Sequence, residues 1–149
     1  MNNGIILDMM IYGTAQAQER AGQVVVRNRA GQVVWDKKRN RPLTRTYDPK
    51  RSREWKQAIQ NQILLSKELK EKLYDGPVYI DATFVFIKPK STPKKVKYPA
   101  VKPDLKNLVW GLEDAMEGIV YKNDSQVVQH FTQKMYGDPP GIRLKVGKG

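Results

Sequence analysis

The segment from Val78 to Ile87 constrains the fold most, because eight of its ten residues are β-branched or aromatic. Such a run, stopped by Pro89, predicts a strand in the centre of a sheet. Apolar residues three and four positions apart predict an amphipathic helix on each side of this strand. One helix is expected from about Lys50 to Tyr74 and the other after Pro103, with Gly118 just past its end.

The remaining segments predict further strands. The residues before Tyr12 predict a first strand, and two valine-rich runs around residues 27–32 predict a hairpin. Residues 126–135 and 142–146 predict two closing strands, joined by a turn. We therefore predict an α+β fold, a mixed β-sheet with two main helices packed on one face. At 149 residues the chain is expected to form a single domain, 1–149.

The composition narrows the cellular setting. The chain has no cysteine, which excludes disulfides and thiolate metal sites and makes a cytoplasmic setting the default expectation. Asp8 splits the apolar residues of the N-terminus and no basic residue precedes them, so we expect neither a signal peptide nor a membrane span. Phosphate-loop and dinucleotide-binding motifs are absent from the sequence, which disfavours an ATP-driven role.

The net charge of +12 predicts a polyanionic partner, and nucleic acid is favoured over a membrane surface. Residues 37–53 and 88–102 hold 14 of the 27 basic residues, and their prolines indicate loops or extended chain. Such segments reach phosphates well, the alternative being a solvated face. The residues predicted to contact nucleic acid, one of them an aromatic that could stack on an opened base, are Arg20, Lys37, Lys38, Arg39, Arg41, Lys94, Lys95, Lys97, Lys102 and Trp110.

Acidic residues cluster between Lys102 and Gln126, although carboxylates repel DNA. A protein that binds phosphates often keeps such acids to hold Mg²⁺. Asp104 also has the position of a helix N-cap, and Asp114 lies ten residues further, about 15 Å along the helix, where a salt bridge is the simpler role. The chain is just long enough to return Asp124 to Asp104, or a second subunit could supply it.

A set of residues in this region and upstream of it carries a family resemblance. Downstream it comprises Asp104, Asn107–Leu108, Asp114–Ala115, Gly118 and Asp124–Ser125–Gln126–Val127; upstream it comprises 12–20, 46–49 and Trp55. At these spacings the chain resembles the RusA family of Holliday-junction resolvases over most of its length. The downstream motif is the specific part of the match.

The resemblance implies a dimeric, Mg²⁺-dependent endonuclease of bacterial, phage or prophage origin. Such an enzyme nicks four-way DNA junctions symmetrically in recombination and repair. Carried over by position, Asp104 and Asp124 would be metal ligands and catalytic carboxylates. The chain departs from the family pattern at Lys106 in place of an Asp ligand, Trp110 in place of an assisting Lys, Asn123 in place of an Asp, and Ala15 and Glu19 in place of Pro and Gly.

Lys106 matters most among these departures, because an ammonium group cannot bind Mg²⁺ and repels it. Three accounts stay open: an engineered inactivating change, a natural homologue that binds junctions without cutting, or a rearranged site. In the rearranged site, Lys106 takes the catalytic role of the assisting lysine that Trp110 replaces. Glu113 or Asp114 then serves as the metal ligand in place of the absent Asp. The expected function is a junction endonuclease weakened by Lys106, and the alternatives are a non-catalytic DNA-binding protein and an RNA-binding protein.

His130 is the only histidine, and it falls in the predicted strand 126–135 without another His or Cys as a metal partner. We therefore expect it to be structural or at the surface.

Overall fold

Four long strands and two helices make up most of the fold. The computed structural model describes residues 4–19, 22–47 and 49–149; Arg20 and Asp48 lie outside these ranges. In chain order the elements are β1 (Ile5–Tyr12), β2 (Gly22–Val25), β3 (Trp35–Asp36), β4 (Arg41–Pro42), β5 (Thr44–Tyr47), α1 (Lys50–Ser66), β6 (Val78–Phe86), α2 (Leu105–Met116), a 3₁₀ turn (Asp124–Gln126), β7 (Val127–Tyr136) and β8 (Gly141–Lys148).

The main sheet is mixed, as predicted, with the strand order β1-β8-β6-β7. Strand β7 runs parallel to β6, whereas β8 is antiparallel to both of its neighbours. A parallel pair needs a crossover connection, and α2 lies in the one between β6 and β7. Strand β6 is therefore interior, in agreement with its β-branched and aromatic sequence.

Both helices pack on one face of this sheet. Alternate residues of β6, from Val78 to Phe84, are buried in one apolar cluster with residues of β1, β8, α1 and α2. The opposite face is polar: it carries Asp81 and Lys145, and Arg143 Nη2 donates a hydrogen bond to Asp8 Oδ1 at 2.9 Å. The predicted α+β arrangement is confirmed.

Helix α1 ends at Ser66, eight residues before the predicted end at Tyr74. Lys67 adopts a left-handed conformation with φ 60°, which terminates the helix. The chain then turns to the sheet, where the Lys70 N–H donates to the Ile6 carbonyl at 2.9 Å and Leu69 packs against the core. The three- and four-residue spacing of apolar side chains, which predicted a longer helix, therefore extends past the helix end into an irregular segment. No helix in the described ranges is long and apolar enough to cross a membrane.

The predicted hairpin around residues 27–32 is confirmed at its turn and next to it, where Arg27 and Val33 form an antiparallel bridge and the Val34 N–H donates to the Val26 carbonyl at 3.0 Å. Asn28 Oδ1 accepts hydrogen bonds from the backbone N–H groups of Ala30 and Gln32, which fixes this turn. The ladder of β2, however, pairs with β5, and β3 pairs with β4. The valine runs therefore belong to a small separate β segment whose outer turn, 37–40, is basic.

Candidate active site

Asp104 stands at the N-cap of α2, but its side chain makes no capping hydrogen bond. Its backbone carbonyl accepts from the N–H groups of Asn107 and Leu108, both at 3.1 Å. The capping interpretation of this carboxylate is therefore wrong. The side chain is exposed instead and lines a cleft of about 750 Å³ at this end of the helix.

The cleft contains more positive than negative groups. Its charged lining consists of Arg51, Lys102 and Lys106 against Glu19 and Asp104, and the indole of Trp110 forms another part of the wall. These charged side chains make no ion pair with one another within the described ranges. The arrangement therefore favours an anion such as phosphate, since cations left without partners in a concave site attract one.

The loop after β1 supplies one wall of the cleft. The Gln18 N–H donates to the Asn107 carbonyl at 3.0 Å, which ties this loop to α2. Buried Ser52 of α1 accepts from the Glu19 N–H at 3.1 Å and donates to the Ala17 carbonyl at 3.2 Å. Because the loop is held to both helices, Glu19 lines the same cleft as Asp104.

The amide of Gln18 fills the space beside α2. Its Oε1 atom is buried without a hydrogen-bond partner in the described part of the chain. A β-carbon at Gly111 would meet the Gln18 side chain at 3.5 Å, which is an ordinary van der Waals contact. The loop therefore packs directly against this face of α2.

A second cavity of about 360 Å³ lies on the other side of Trp110. It is lined by Lys106, Trp110, Glu113, His130 and Thr132, with two apolar residues of α2. Burial raises the pKa of the Glu113 carboxyl above its ordinary value; nearby His130 opposes this rise and Asp124 adds to it. His130 is exposed at the surface, as expected, yet it faces this cavity.

The register of β7 explains why its polar residues face the helices. His130, Thr132 and Lys134 pair with the buried residues Ile80, Ala82 and Phe84 of β6, so they share the helix-covered face. Lys134 Nζ donates to the carbonyls of Val101 and Pro103 at 2.8 and 3.0 Å. That contact anchors the basic loop 88–102 beside the start of α2.

Asp124 lies towards the opposite end of α2. It begins the 3₁₀ turn before β7, and Val127 pairs with Val78 at the start of β6, whereas Lys134, near the start of α2, pairs with Phe84. From Val127 to Lys134 a strand rises about 23 Å. Asp124 accordingly does not line the cleft with Asp104. Within one chain the structure does not bring the two predicted ligands together.

The residues of a single chain do not fit Mg²⁺. Among the residues that the structure describes, no three His, Cys, Asp or Glu side chains are grouped so that they could hold a metal ion. The cleft offers two carboxylates, Glu19 and Asp104, against three cations. Since Mg²⁺ favours an oxygen-only shell in octahedral geometry, the ammonium of Lys106 is the wrong group for that position.

The second half of the motif is structural. Asp114 Oδ2 accepts from Lys56 Nζ at 2.7 Å and thereby links α2 to α1, which confirms the predicted salt-bridging role. The buried Tyr121 hydroxyl donates to the Glu113 carbonyl at 2.6 Å near the end of α2, and burial raises its pKa. Gly118 has a φ of 83°, a conformation that favours glycine.

The predicted nucleic-acid contacts fall into three regions. Lys37, Lys38, Arg39 and Arg41 lie exposed on the turn between β3 and β4 or directly after it; Lys94, Lys95 and Lys97 lie exposed on the loop 88–102; Lys102 and Trp110 line the cleft. Sequence reasoning did not select Arg51 or Glu19. Arg51 belongs to the basic segment 37–53, which was predicted as a whole to reach phosphates. Glu19 stood out only because the family pattern has Gly at that position.

Comparisons with known proteins show the family of this chain. The sequence pattern of the family "Endodeoxyribonuclease RusA" matches residues 22–147. A relative from Bacillus subtilis (strain 168), named "Uncharacterized protein YqaN", is 31% identical over 109 residues, which cover 66% of this chain and 75% of the relative. The family match extends from β2 to β8 and includes Asp104, Lys106 and Asp124. The chain therefore belongs to the RusA endodeoxyribonuclease family.

Proposed function

We propose that this protein binds four-way DNA junctions through the cleft at the start of α2 and that Lys106 weakens or abolishes their cleavage. One observation carries the proposal: in a chain of a nuclease family, the cleft that holds Asp104 also holds Arg51, Lys102 and Lys106. Three cations beside two carboxylates attract a phosphate more readily than a divalent metal ion. Junction binding is thus favoured over metal-dependent hydrolysis.

Two versions of this function differ in activity only. In the first, the protein is a Mg²⁺-dependent junction endonuclease whose metal affinity is lowered by the ammonium of Lys106. In the second, it is a non-catalytic junction-binding protein on the same fold. The charge of the cleft supports the second version, and the position of Asp104 supports the first.

We further propose that the protein acts as a homodimer. A four-way junction has two strands to be nicked symmetrically, and a two-fold dimer presents one cleft to each of them. The separation of Asp104 and Asp124 within one chain also supports a second copy, because a neighbouring subunit is the remaining source of an Asp124 side chain beside Asp104.

The test compares the protein with its Lys106→Asp variant. Binding to a synthetic four-way junction and to a linear duplex of the same sequence is measured without divalent metal, and nicking is measured with Mg²⁺. We expect the unchanged protein to prefer the junction and to nick weakly or not at all. Lys106→Asp should raise nicking at least about tenfold, since it replaces a repelled charge by a ligand.

Lys72→Asp is the matched control. It makes the same change of charge on an exposed residue of the segment that follows α1, which is not part of the cleft. Its nicking should equal that of the unchanged protein. Equal affinity for junction and duplex would overturn the junction proposal, and full nicking by the unchanged protein would show that the site needs no carboxylate at position 106.

A further inference from the structure

Trp110 is an exposed aromatic side chain on a helix that is otherwise largely buried. The indole is 44% exposed, whereas its neighbours Val109 and Gly111 are buried. It lies one turn after Lys106 on α2, and both residues line the two cavities described above. A large apolar ring exposed between charged groups is costly in water, so a partner that covers it gains free energy.

The surroundings of Trp110 indicate the chemistry of that partner. Arg51, Lys102 and Lys106 in the same cleft match phosphate groups, and the indole matches a flat aromatic ring. A nucleotide combines both features. An acidic peptide would match the cations but would leave the face of the ring without a stacking partner.

The size of the cleft selects a nucleotide that has left its stack. A volume of about 750 Å³ is in the range of pockets that accept one small ligand, about 300–1,000 Å³. Within a duplex both faces of a base are already covered by its neighbours, so stacking on an added indole requires an unstacked base. Branch points of DNA offer such bases at lower cost than duplex arms, because base stacking is interrupted where the arms of an open junction meet.

We infer that Trp110 stacks on an unpaired nucleotide at the branch point of the bound DNA, while Lys106, Arg51 and Lys102 bind its flanking phosphates. The inference rests on the proposed function and deepens it, since it names the group that gives the cleft its preference for branched DNA. The two other tryptophans do not serve this purpose: Trp55 is in the core with 8% exposure, and Trp35 lies on β3 and lines neither cavity.

Two apolar substitutions separate stacking from packing. Trp110→Phe keeps an aromatic face, and Trp110→Leu covers the same helix surface without one. Trp35→Ala removes a more exposed tryptophan, at 52%, that is outside the cleft. All variants are examined in EDTA, so that metal binding plays no part, and thermal unfolding verifies that each is folded.

The probe is 2-aminopurine, placed at the branch point of a four-way junction, in a duplex arm, or in a single-stranded oligonucleotide. We expect the unchanged protein to change the fluorescence of the branch-point probe and not that of the probe in the arm. Trp110→Leu should lose this change and weaken junction binding about 5- to 160-fold, the effect of losing one stacked base. Trp110→Phe and Trp35→Ala should retain most of both.

Junction binding and fluorescence that survive Trp110→Leu unchanged would overturn the inference, as would an equal loss in Trp35→Ala. A loss of duplex binding as large as that of junction binding would also contradict it. The single-stranded probe distinguishes failure of the Trp110 inference from failure of the proposed junction binding. If the protein does not prefer junctions yet its effect on the single strand depends on Trp110, stacking stands and the junction proposal falls.

Discussion

The two ends of α2 carry parts of one sequence motif but treat their polar side chains differently. Near its C-terminal end, Asp114 is paired with Lys56 and the Tyr121 hydroxyl with the Glu113 carbonyl. At its N-terminal end, the Asp104 side chain does not cap the helix and borders the cleft together with Lys106. The motif therefore has a structural half, which holds the helix in place, and a half whose charges remain available for a ligand.

This difference predicts opposite effects of mutation. Changes at the C-terminal end should lower stability and leave DNA binding by the folded protein unchanged. Removal of the cations at the N-terminal end should lower DNA binding and leave stability unchanged, because side chains without internal partners add little to folding.

The largest effect is expected from removing the three cations of the cleft. The combined variant Arg51→Ala, Lys102→Ala, Lys106→Ala should lose on the order of 100-fold in junction affinity at low salt, since three phosphate contacts disappear. The slope of log K against log salt should fall by about 2.7. Fluorescence anisotropy at several salt concentrations measures both quantities.

A variant with three alanines at Lys67, Lys70 and Lys72 is the control for this experiment. It removes the same charge from exposed residues of the segment after α1. A loss of affinity equal to that of the cleft variant would show that net charge alone governs binding. The comparison between the two ends of α2 would then have no functional meaning.

Asp114→Ala tests the structural half. It leaves the partly buried Lys56 ammonium without its carboxylate at 2.7 Å, so the free energy of unfolding should fall by about 1–2 kcal/mol. Glu54→Ala is the matched control, because the Lys50–Glu54 pair is exposed and longer, at 3.7 Å, and should contribute little. Urea unfolding compares the variants, and equal losses in both would contradict a structural role specific to Asp114.

Tyr121→Phe removes only the hydroxyl that donates to the Glu113 carbonyl. The expected cost is about 1 kcal/mol, because the Glu113 carbonyl loses one of its hydrogen bonds and keeps the one from the Glu117 N–H, while the buried ring keeps its packing. The midpoint of thermal unfolding measures this cost. Unchanged junction affinity at a temperature where the variant is folded completes the prediction.

The smallest effect is expected at Glu113. Burial raises the pKa of this carboxyl, so the folded state favours its protonated form, and ionisation costs stability as the pH rises through the raised pKa. Glu113→Gln should therefore be slightly more stable than the unchanged protein at pH 7, by less than about 1 kcal/mol. The advantage should vanish below pH 4.5, the ordinary pKa of this group. Unfolding curves at both pH values test the sign, and a larger advantage in acid would contradict it.

Much of the fold could be predicted from local sequence patterns. Strand β6, helix α2, the left-handed Gly118 and the turn at Asn28 follow from side-chain periodicity and from backbone preferences, which act over a few residues. The end of α1 did not follow, because Leu69 continues the apolar spacing from an irregular segment. The partner of β2 also did not, since strand pairing depends on distant residues.

The sequence by itself determined that the chain is basic and that it resembles the RusA family, a resemblance that implies an Asp ligand where Lys106 stands. Only the tertiary structure decided which of these residues share a site. Hydrogen bonds of Gln18 and Ser52 hold the loop after β1 to both helices, so that Glu19, Arg51 and Asp104 line one cleft. Asp124 lies towards the other end of α2. The physical reason is that local patterns fix the direction of a helix or strand, whereas the packing of the β1 loop against two helices fixes the distances between side chains far apart in sequence.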